Sequence, residues 1–197
     1  MKYYLIAIGT VILLSAGPKT AEAQQTEIGF KSGLNLYSLN FENNAKTGNR
    51  AGLQYGFSAR IFPEWLQPFS LQSELFYSPQ GVKLRNEDAL ITLDHINVPI
   101  LFQYLFDNGI RVQAGPQLGF LMNAKAEYGG AIIDIKKRFN KVDFGLSTGL
   151  SYLYAPYGVG VDIRYNLGLS KISTDNFYRS TNRGFQISFF YQFRYGE

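Results

Sequence analysis

Seven charged residues stand on the polar side of segments in which apolar and polar residues alternate. Alternate side chains of a strand point to opposite faces, so in a narrow barrel these charges would share one interior. Buried charges have to be paired. We therefore interpret the set as a structural lumen network of ion pairs and hydrogen bonds, and a gated ion path is the functional alternative. The seven residues are Lys31, Arg60, Glu74, Arg111, Asp162, Arg164 and Arg194.

Other chemistry has little support in the residue types. The chain has one His, His95, and no Cys, so we predict no transition-metal site, no cofactor and no catalytic residue. His95 takes an inward position and could act as a base near neutral pH. A lipid-modifying enzyme therefore stays open as a minor alternative. Glycines such as Gly115 and Gly119 belong to strand alternation and precede no predicted helix, so they form no phosphate loop.

A second group of charges lies in the longer connections, where Lys and Arg outnumber Asp and Glu. Lys136, Lys137 and Arg138 are consecutive there, and we predict that they contact anionic lipid, with lipopolysaccharide phosphates as the partner. A merely solvated set of loops is the alternative. The basic residues are dispersed over rim and lumen, so nucleic acid is not expected despite the net charge of +4.

The elements that would position these residues are eight strands, since period-2 alternation recurs along the chain. No helix is predicted after residue 23. Three connections are short, at 62–68, 107–109 and 155–158, and four are longer, at about 40–50, 79–90, 124–141 and 171–183. Short and long connections on opposite rims, with an even strand count, are typical of an outer-membrane barrel with both termini periplasmic. The alternating segments are 27–36, 53–61, 69–77, 95–104, 110–120, 143–154, 159–167 and 185–194.

The volume of the apolar face predicts which side faces outward. An eight-stranded interior is just wide enough to be filled by side chains, and it could not hold the many Phe and Tyr residues of this face. The apolar face also carries no charge, as a lipid-facing surface requires. A soluble, lipocalin-type barrel is the alternative. The tyrosines lie at girdle positions, with Tyr55 and Tyr77 toward one rim and the others toward the opposite rim, namely Tyr104, Tyr152, Tyr154, Tyr191 and Tyr195.

The first 23 residues have the three parts of a secretory signal peptide. Met1-Lys2 is followed by an apolar stretch at 3–16 and by the cleavage pattern Ala21-Glu22-Ala23. The apolar stretch is shorter than the roughly 20 residues of a spanning helix, although an N-terminal anchor remains the alternative. We therefore predict a signal peptide at 1–23 and a barrel domain at 24–197.

Three motifs and the closing segment carry a resemblance to a known family. They are Glu74-Leu75-Phe76-Tyr77-Ser78-Pro79-Gln80-Gly81, Ile96-Asn97-Val98-Pro99-Ile100-Leu101, Ala114-Gly115-Pro116-Gln117-Leu118-Gly119 and the run from Gly184 to Phe193. With them the chain resembles the PorT-like outer-membrane β-barrel family of Bacteroidetes-type bacteria. The resemblance implies an integral outer-membrane barrel, and the family's namesake takes part in protein secretion and gliding. No motif here carries that role over, and the chain ends on Gly196-Glu197 where barrel proteins often end on an aromatic residue.

The sequence thus predicts an all-β protein, an eight-stranded antiparallel up-and-down transmembrane β-barrel of OmpA-like size in the outer membrane of a Gram-negative bacterium. We predict a plugged polar lumen and a structural or interaction role without enzymatic activity. The expected partners are outer-membrane lipid, lipopolysaccharide and, as candidates, envelope or secretion proteins. A component of a PorT-type secretion or envelope-assembly machine is the first alternative, and a narrow channel or lipid-modifying enzyme is the second.

Overall fold

The computed structural model describes residues 26–41, 47–84, 89–172 and 180–195, and they are almost entirely β-strand. The predicted signal peptide at 1–23 lies outside the described residues. The strands are β1 (Thr26–Phe41), β2 (Thr47–Ile61), β3 (Phe69–Leu84), β4 (Ala89–Leu105), β5 (Ile110–Tyr128), β6 (Ala131–Asp134), β7 (Val142–Tyr154), β8 (Val159–Gly168) and β9 (Ser180–Tyr195).

Eight of these strands close into one antiparallel barrel, which confirms the predicted fold. Each barrel strand pairs with its neighbours along the chain, and β5 pairs with β7 because β6 stands outside this order. The barrel closes where β1 pairs with β9. Thr26 lies opposite both Ile61 and Tyr195, so the first and the last described residues lie at the end of the barrel that carries the short connections. We call this the short-turn end and the opposite one the long-loop end.

Three long connections predicted from the sequence are shorter in the structure. β1 extends to Phe41 and β2 begins at Thr47, while the ladder between β3 and β4 continues from Pro79 opposite Asp94 to Leu84 opposite Ala89. The third is the connection predicted at 171–183, where β9 already begins at Ser180. Pro79 and Gly81 look like turn residues, but both remain in the ladder, and Gly81 does so with φ of 140°. The described residues contain no longer helix, as predicted, but single turns of 3-10 helix occur at residues 64–66 and 136–138.

The fourth predicted connection, 124–141, contains a hairpin. β5 continues to Tyr128, and β6 folds back on it with Tyr128 opposite Ala131 and Lys125 opposite Asp134. The turn is Gly129-Gly130, with φ of 55° and 83°. Two consecutive positive φ values suit glycine and are typical of the type I′ turn that matches strand twist. The Gly-Gly pair between apolar residues is a hairpin signal in the sequence, and our prediction overlooked it.

Aliphatic side chains form a continuous row around part of the outer surface at mid-height. Leu150 lies opposite Ile163, Ile163 opposite Ile187, Ile187 opposite Leu34, and Leu34 opposite Leu53. All five residues are at least half exposed, with relative exposures from 51% to 67%. A water-facing surface rarely carries a contiguous apolar patch of this kind, whereas an outward-facing apolar band is the mark of a membrane barrel.

Aromatic pairs border this row on both sides. Toward the long-loop end Tyr165 contacts Phe185, with ring centroids 4.9 Å apart. Tyr55 and Tyr77, whose centroids are 5.5 Å apart, lie near the middle of β2 and β3, and Tyr55 is on the short-turn side of Leu53, so these two residues are not at the long-loop rim as predicted. Toward the short-turn end the pairs are Phe69–Tyr104, Tyr104–Phe106, Tyr154–Tyr157 and Tyr191–Phe193. Aromatic girdles of this kind mark the two interfaces of a membrane barrel. The described part of the chain contains no helix long and apolar enough to cross a membrane.

Candidate functional site: a filled lumen and a basic rim

The centre of the lumen holds four charged side chains that alternate in sign. Arg164 donates from both terminal nitrogens to the two oxygens of Glu74, each at 2.6 Å. Its Nε lies 3.0 Å from Asp162, which also accepts from Lys31 Nζ at 2.8 Å. Lys31 Nζ is 3.6 Å from Glu74. Each charge is therefore flanked by two opposite charges. All four residues are 5% exposed or less, and charges buried to this degree require such pairing.

A second group lies nearer the short-turn end. Arg60 pairs with Glu27 through a buried salt bridge, and Arg60 also donates to Gln192 Oε1 at 3.0 Å. Arg111 donates to the same oxygen at 2.8 Å. The sequence interpretation placed Glu27 on the polar face but did not count it among the network residues. The β9 backbone places Arg194 opposite Glu27, and its side chain lies outside the described part.

Amide side chains fill the space between these two groups. Gln113 donates to Asp162 and accepts from Gln103 Nε2 at 2.7 Å. Arg60 donates to Gln103 at 3.5 Å, and Arg164 donates to Gln113 at 3.4 Å. The remaining cavity offers only about 10 Å³ to the centre of a water molecule, which is about the room that one water needs. At this level the described side chains fill most of the lumen.

The other half of the lumen is less polar than predicted. Tyr37 is fully buried, and its hydroxyl accepts from Asn166 at 3.0 Å and from Gln186 at 3.1 Å. Phe76 also points inward and is buried, and so is Leu101, which lies opposite Gln72 nearer the short-turn end. Large apolar side chains therefore share the interior with amides. Alternation assigns a side chain to a face, but it does not require every inward position to be polar.

The lumen is covered at the long-loop end by an apolar cluster, which we call the cap. Its buried members come from β3, β4, β5 and the segment after β8, and Ile91, Ile135 and Phe139 pack against it. His95, opposite Leu121 in the ladder, is 3% exposed, and its Nδ1 lies 3.4 Å from the Leu93 carbonyl. The cap excludes water from this end. Its buried residues are Val82, Leu93, Leu121, Ala124 and Ile172.

The basic rim lies beyond the cap. Lys136, Lys137 and Arg138 form a single 3-10 turn, which Asp134 caps by accepting from the Lys136 backbone N–H at 2.8 Å. Lys136 Nζ donates to the Met122 carbonyl, while Lys137 and Arg138 are exposed. The structure thus places all three cations outside the lumen.

The β5–β6 hairpin projects from the same rim with exposed apolar side chains. Tyr128, Ile132 and Ile133 are 60%, 67% and 56% exposed. β6 pairs with β5 only, so its second edge has no strand partner in the described part of the chain. Apolar and basic groups therefore stand side by side on one projecting element.

The described residues include no group of three or more His, Asp or Glu side chains that could hold a metal ion. The chain contains no Cys either. The described polar side chains of the lumen and the rim form ion pairs and amide hydrogen bonds or stand as exposed cations.

A closed eight-stranded barrel with an apolar outer belt, aromatic girdles and a polar interior defines an outer-membrane β-barrel protein. A family model described as outer membrane protein beta-barrel domain matches residues 22–174, and the chain belongs to this family. The protein is thus located in the outer membrane of a Gram-negative bacterium. The finer PorT-like resemblance is a prediction that this match does not decide. No curated protein matches the chain.

Several solved structures are similar to this chain. Neisserial surface protein A (NspA) is 14% identical with a TM-score of 0.58, over 84% of this chain and 97% of NspA. Ail of Yersinia pestis is 13% identical with a TM-score of 0.46, over 86% and 99%. OprG of Pseudomonas aeruginosa is 12% identical with a TM-score of 0.45, over 87% and 98%. At this level of identity the likeness to NspA concerns the fold alone.

Proposed function

We propose that the protein is a non-enzymatic barrel whose working surface is the long-loop rim, and that this rim faces the outside and binds the phosphates of lipopolysaccharide. Both chain ends and the short turns would then be periplasmic. The observation that carries the proposal is the β5–β6 hairpin with its following turn, where exposed apolar side chains stand beside Lys137 and Arg138.

The interior supports a role at the surface rather than one inside the barrel. The charged network fills the lumen near the short-turn end, and the cap covers it near the long-loop end. A substrate or a hydrated ion would have to displace both. The described polar contact of His95 is with the Leu93 carbonyl, and the ring lies against the cap, so neither supports a catalytic role.

The charge distribution on the rim favours an anionic ligand. Among the exposed side chains that the structure describes at this rim, the acids are Glu127 and Asp134, and cations outnumber them. Lysine and arginine near an anionic membrane surface contribute about 1 kcal/mol each. The exposed isoleucines would add apolar contact with acyl chains. The exposed cations are Lys125, Lys137, Arg138, Lys141, Lys171 and Arg183.

The test is binding of lipid A to the purified barrel in nanodiscs that lack lipopolysaccharide. We expect a triple variant, Lys136→Gln, Lys137→Gln and Arg138→Gln, to bind bisphosphorylated lipid A up to about a hundredfold more weakly, given about 1 kcal/mol per cation. The matched control exchanges the same three residues as Lys136→Arg, Lys137→Arg and Arg138→Lys, which keeps the charge. Unchanged affinity in the Gln variant would refute the proposal.

The unpaired edge of β6 favours a second candidate, a protein partner in an envelope or secretion assembly. An exposed strand edge can accept a further strand through backbone hydrogen bonds. Gentle purification from the outer membrane would recover a stoichiometric partner with the native chain. The partner should be lost when Gly-Ser-Gly-Ser replaces residues 131–134. Recovery of the barrel alone in both preparations would rule this candidate out.

A further inference from the structure

Among the described lumen charges, Arg111 has no carboxylate of its own. Arg60 is paired with Glu27, Arg164 with Glu74 and Asp162, and Lys31 with Asp162. Arg111 forms no salt bridge within the described residues, although it is 1% exposed. The lumen therefore has one positive charge that the described side chains do not neutralise. An uncompensated buried charge is costly.

The hydrogen bonds of Arg111 are incomplete as well. One terminal nitrogen donates to Gln192 Oε1 at 2.8 Å, an oxygen that it shares with the Arg60 guanidinium. Two like charges thus converge on one neutral acceptor. The buried Nε of Arg111 has no acceptor among the described residues. The ring of Phe190, 5.4 Å from Arg111 Cζ, supplies only a weak electrostatic attraction.

The cavity described above lies beside this arginine. Its lining includes Arg111, Phe190 and the hydroxyl-bearing Ser58 and Ser151. The acids Glu74 and Asp162 also line it, but both are already paired with Lys31 and Arg164. The space open to the centre of a water-sized sphere, about 10 Å³, corresponds to about one such sphere. A chloride ion is little larger than water. The cavity thus offers room for a single small anion, with guanidinium, ammonium and hydroxyl donors around it.

We propose that the lumen binds one monovalent anion of chloride size between Arg111 and the serine hydroxyls. The anion completes the charge balance of the network and accepts from the nitrogen that lacks a partner. Hydrogen bonds to a charged acceptor are about twice as strong as neutral ones. Bound anion and protein network then form one neutral, closed plug.

Diffraction from crystals of the barrel grown in sodium bromide, at the bromine absorption edge, tests the site directly. We expect one ordered anomalous peak within hydrogen-bond distance of Arg111, in the cavity. Water alone at this position, with no anomalous signal, would overturn the proposal. The native chain suffices for this measurement.

Thermal unfolding gives a second readout. At equal ionic strength, the native barrel should unfold at a higher temperature in chloride than in gluconate, which is too large for the cavity, because a ligand that binds only the folded state stabilises it. Arg111→Met, of similar volume without charge, should abolish this difference, whereas the rim control Arg138→Met should retain it. If Arg111→Met does not fold, Arg111→Lys replaces it and should reduce the difference. Equal midpoints of the native barrel in the two salts would contradict the proposal.

Discussion

Arg164 contacts both carboxylates of the central lumen, Glu74 through two terminal nitrogens and Asp162 through Nε. A bidentate pair fixes geometry as well as charge. Lys31 Nζ lies near the same two acids, 3.6 Å from Glu74 and 2.8 Å from Asp162. Removing one member of such a network leaves an opposite charge buried without compensation.

Glu74→Gln should lower the free energy of unfolding by about 3–5 kcal/mol, the usual cost of breaking a buried pair. The amide keeps the shape of Glu74 but not its charge, so Arg164 and Lys31 are left to share Asp162. Urea titration of the barrel in lipid vesicles measures the change.

Glu127→Gln, on the exposed rim, is the matched control and should change stability by less than about 0.5 kcal/mol. The double variant Glu74→Gln, Arg164→Gln should lose less than the sum of the two single changes. An unaltered midpoint for Glu74→Gln would show that the pair does not stabilise the barrel.

For individual residues, the alternation pattern predicted which charges point inward but not which side chains they pair with. Period 2 assigns Lys31 or Arg111 to a face from local sequence alone. The pairing of Arg164 with Glu74 joins residues 90 positions apart, and it depends on how far each strand is shifted along its neighbours. That shift follows from barrel closure, which no spacing in the sequence encodes. For the same reason the sequence did not single out Glu27 as the partner of Arg60.

Strands pack against each other closely where a glycine faces a bulky inward neighbour. A Cβ on Gly56 would lie 2.2 Å from the Leu75 carbonyl oxygen and 2.4 Å from the Phe76 Cβ. Both atoms belong to the backbone or adjoin it, so neither can move aside easily. On Gly119 a Cβ would meet only the Asn97 amide oxygen closely, at 2.8 Å.

Gly56→Ala should therefore destabilise the barrel by about 1–3 kcal/mol through overpacking, because β2 and β3 would have to separate. Gly119→Ala, another inward strand glycine, should be tolerated better, because a rotation of the Asn97 side chain relieves its contact. Gel electrophoresis of samples heated to increasing temperatures gives, for each variant, the midpoint at which the folded band is lost. Equal midpoints for both variants would show that the close approach at Gly56 is not limiting.

The elements themselves were predictable where the alternation is regular, and less so near the long-loop end. Pro79 and Gly81 resemble a turn but remain paired, because the ladder with β4 continues past them. The cap was missed because Ile135, Phe139 and Ile172 lie in segments without alternation. Their burial depends on segments far apart in sequence meeting over one opening.

The whole molecule has a polarity, since the first and the last described residues share the short-turn end and the β5–β6 hairpin projects from the other. Lys137→Cys and Asp107→Cys introduce single thiols at opposite ends of a chain that has no Cys. On intact cells a membrane-impermeant maleimide should label the first and spare the second, if the long-loop rim faces outward.

Labelling of Asp107→Cys should appear once the cells are lysed, which serves as the control for its reactivity. The reverse pattern on intact cells would invert the proposed orientation. It would also place the basic rim in the periplasm, away from the lipopolysaccharide of the outer leaflet.

All sixteen residues of β1 pair with β9, from Thr26 opposite Tyr195 to Phe41 opposite Ser180. This full-length ladder joins the first and the last described strand. Until β9 arrives, β1 and β8 keep unpaired backbone groups, which lipid cannot satisfy. A product interrupted before residue 180 cannot complete the barrel at all. Closure of the barrel therefore depends on the last described strand, and a chain that lacks it keeps two open strand edges.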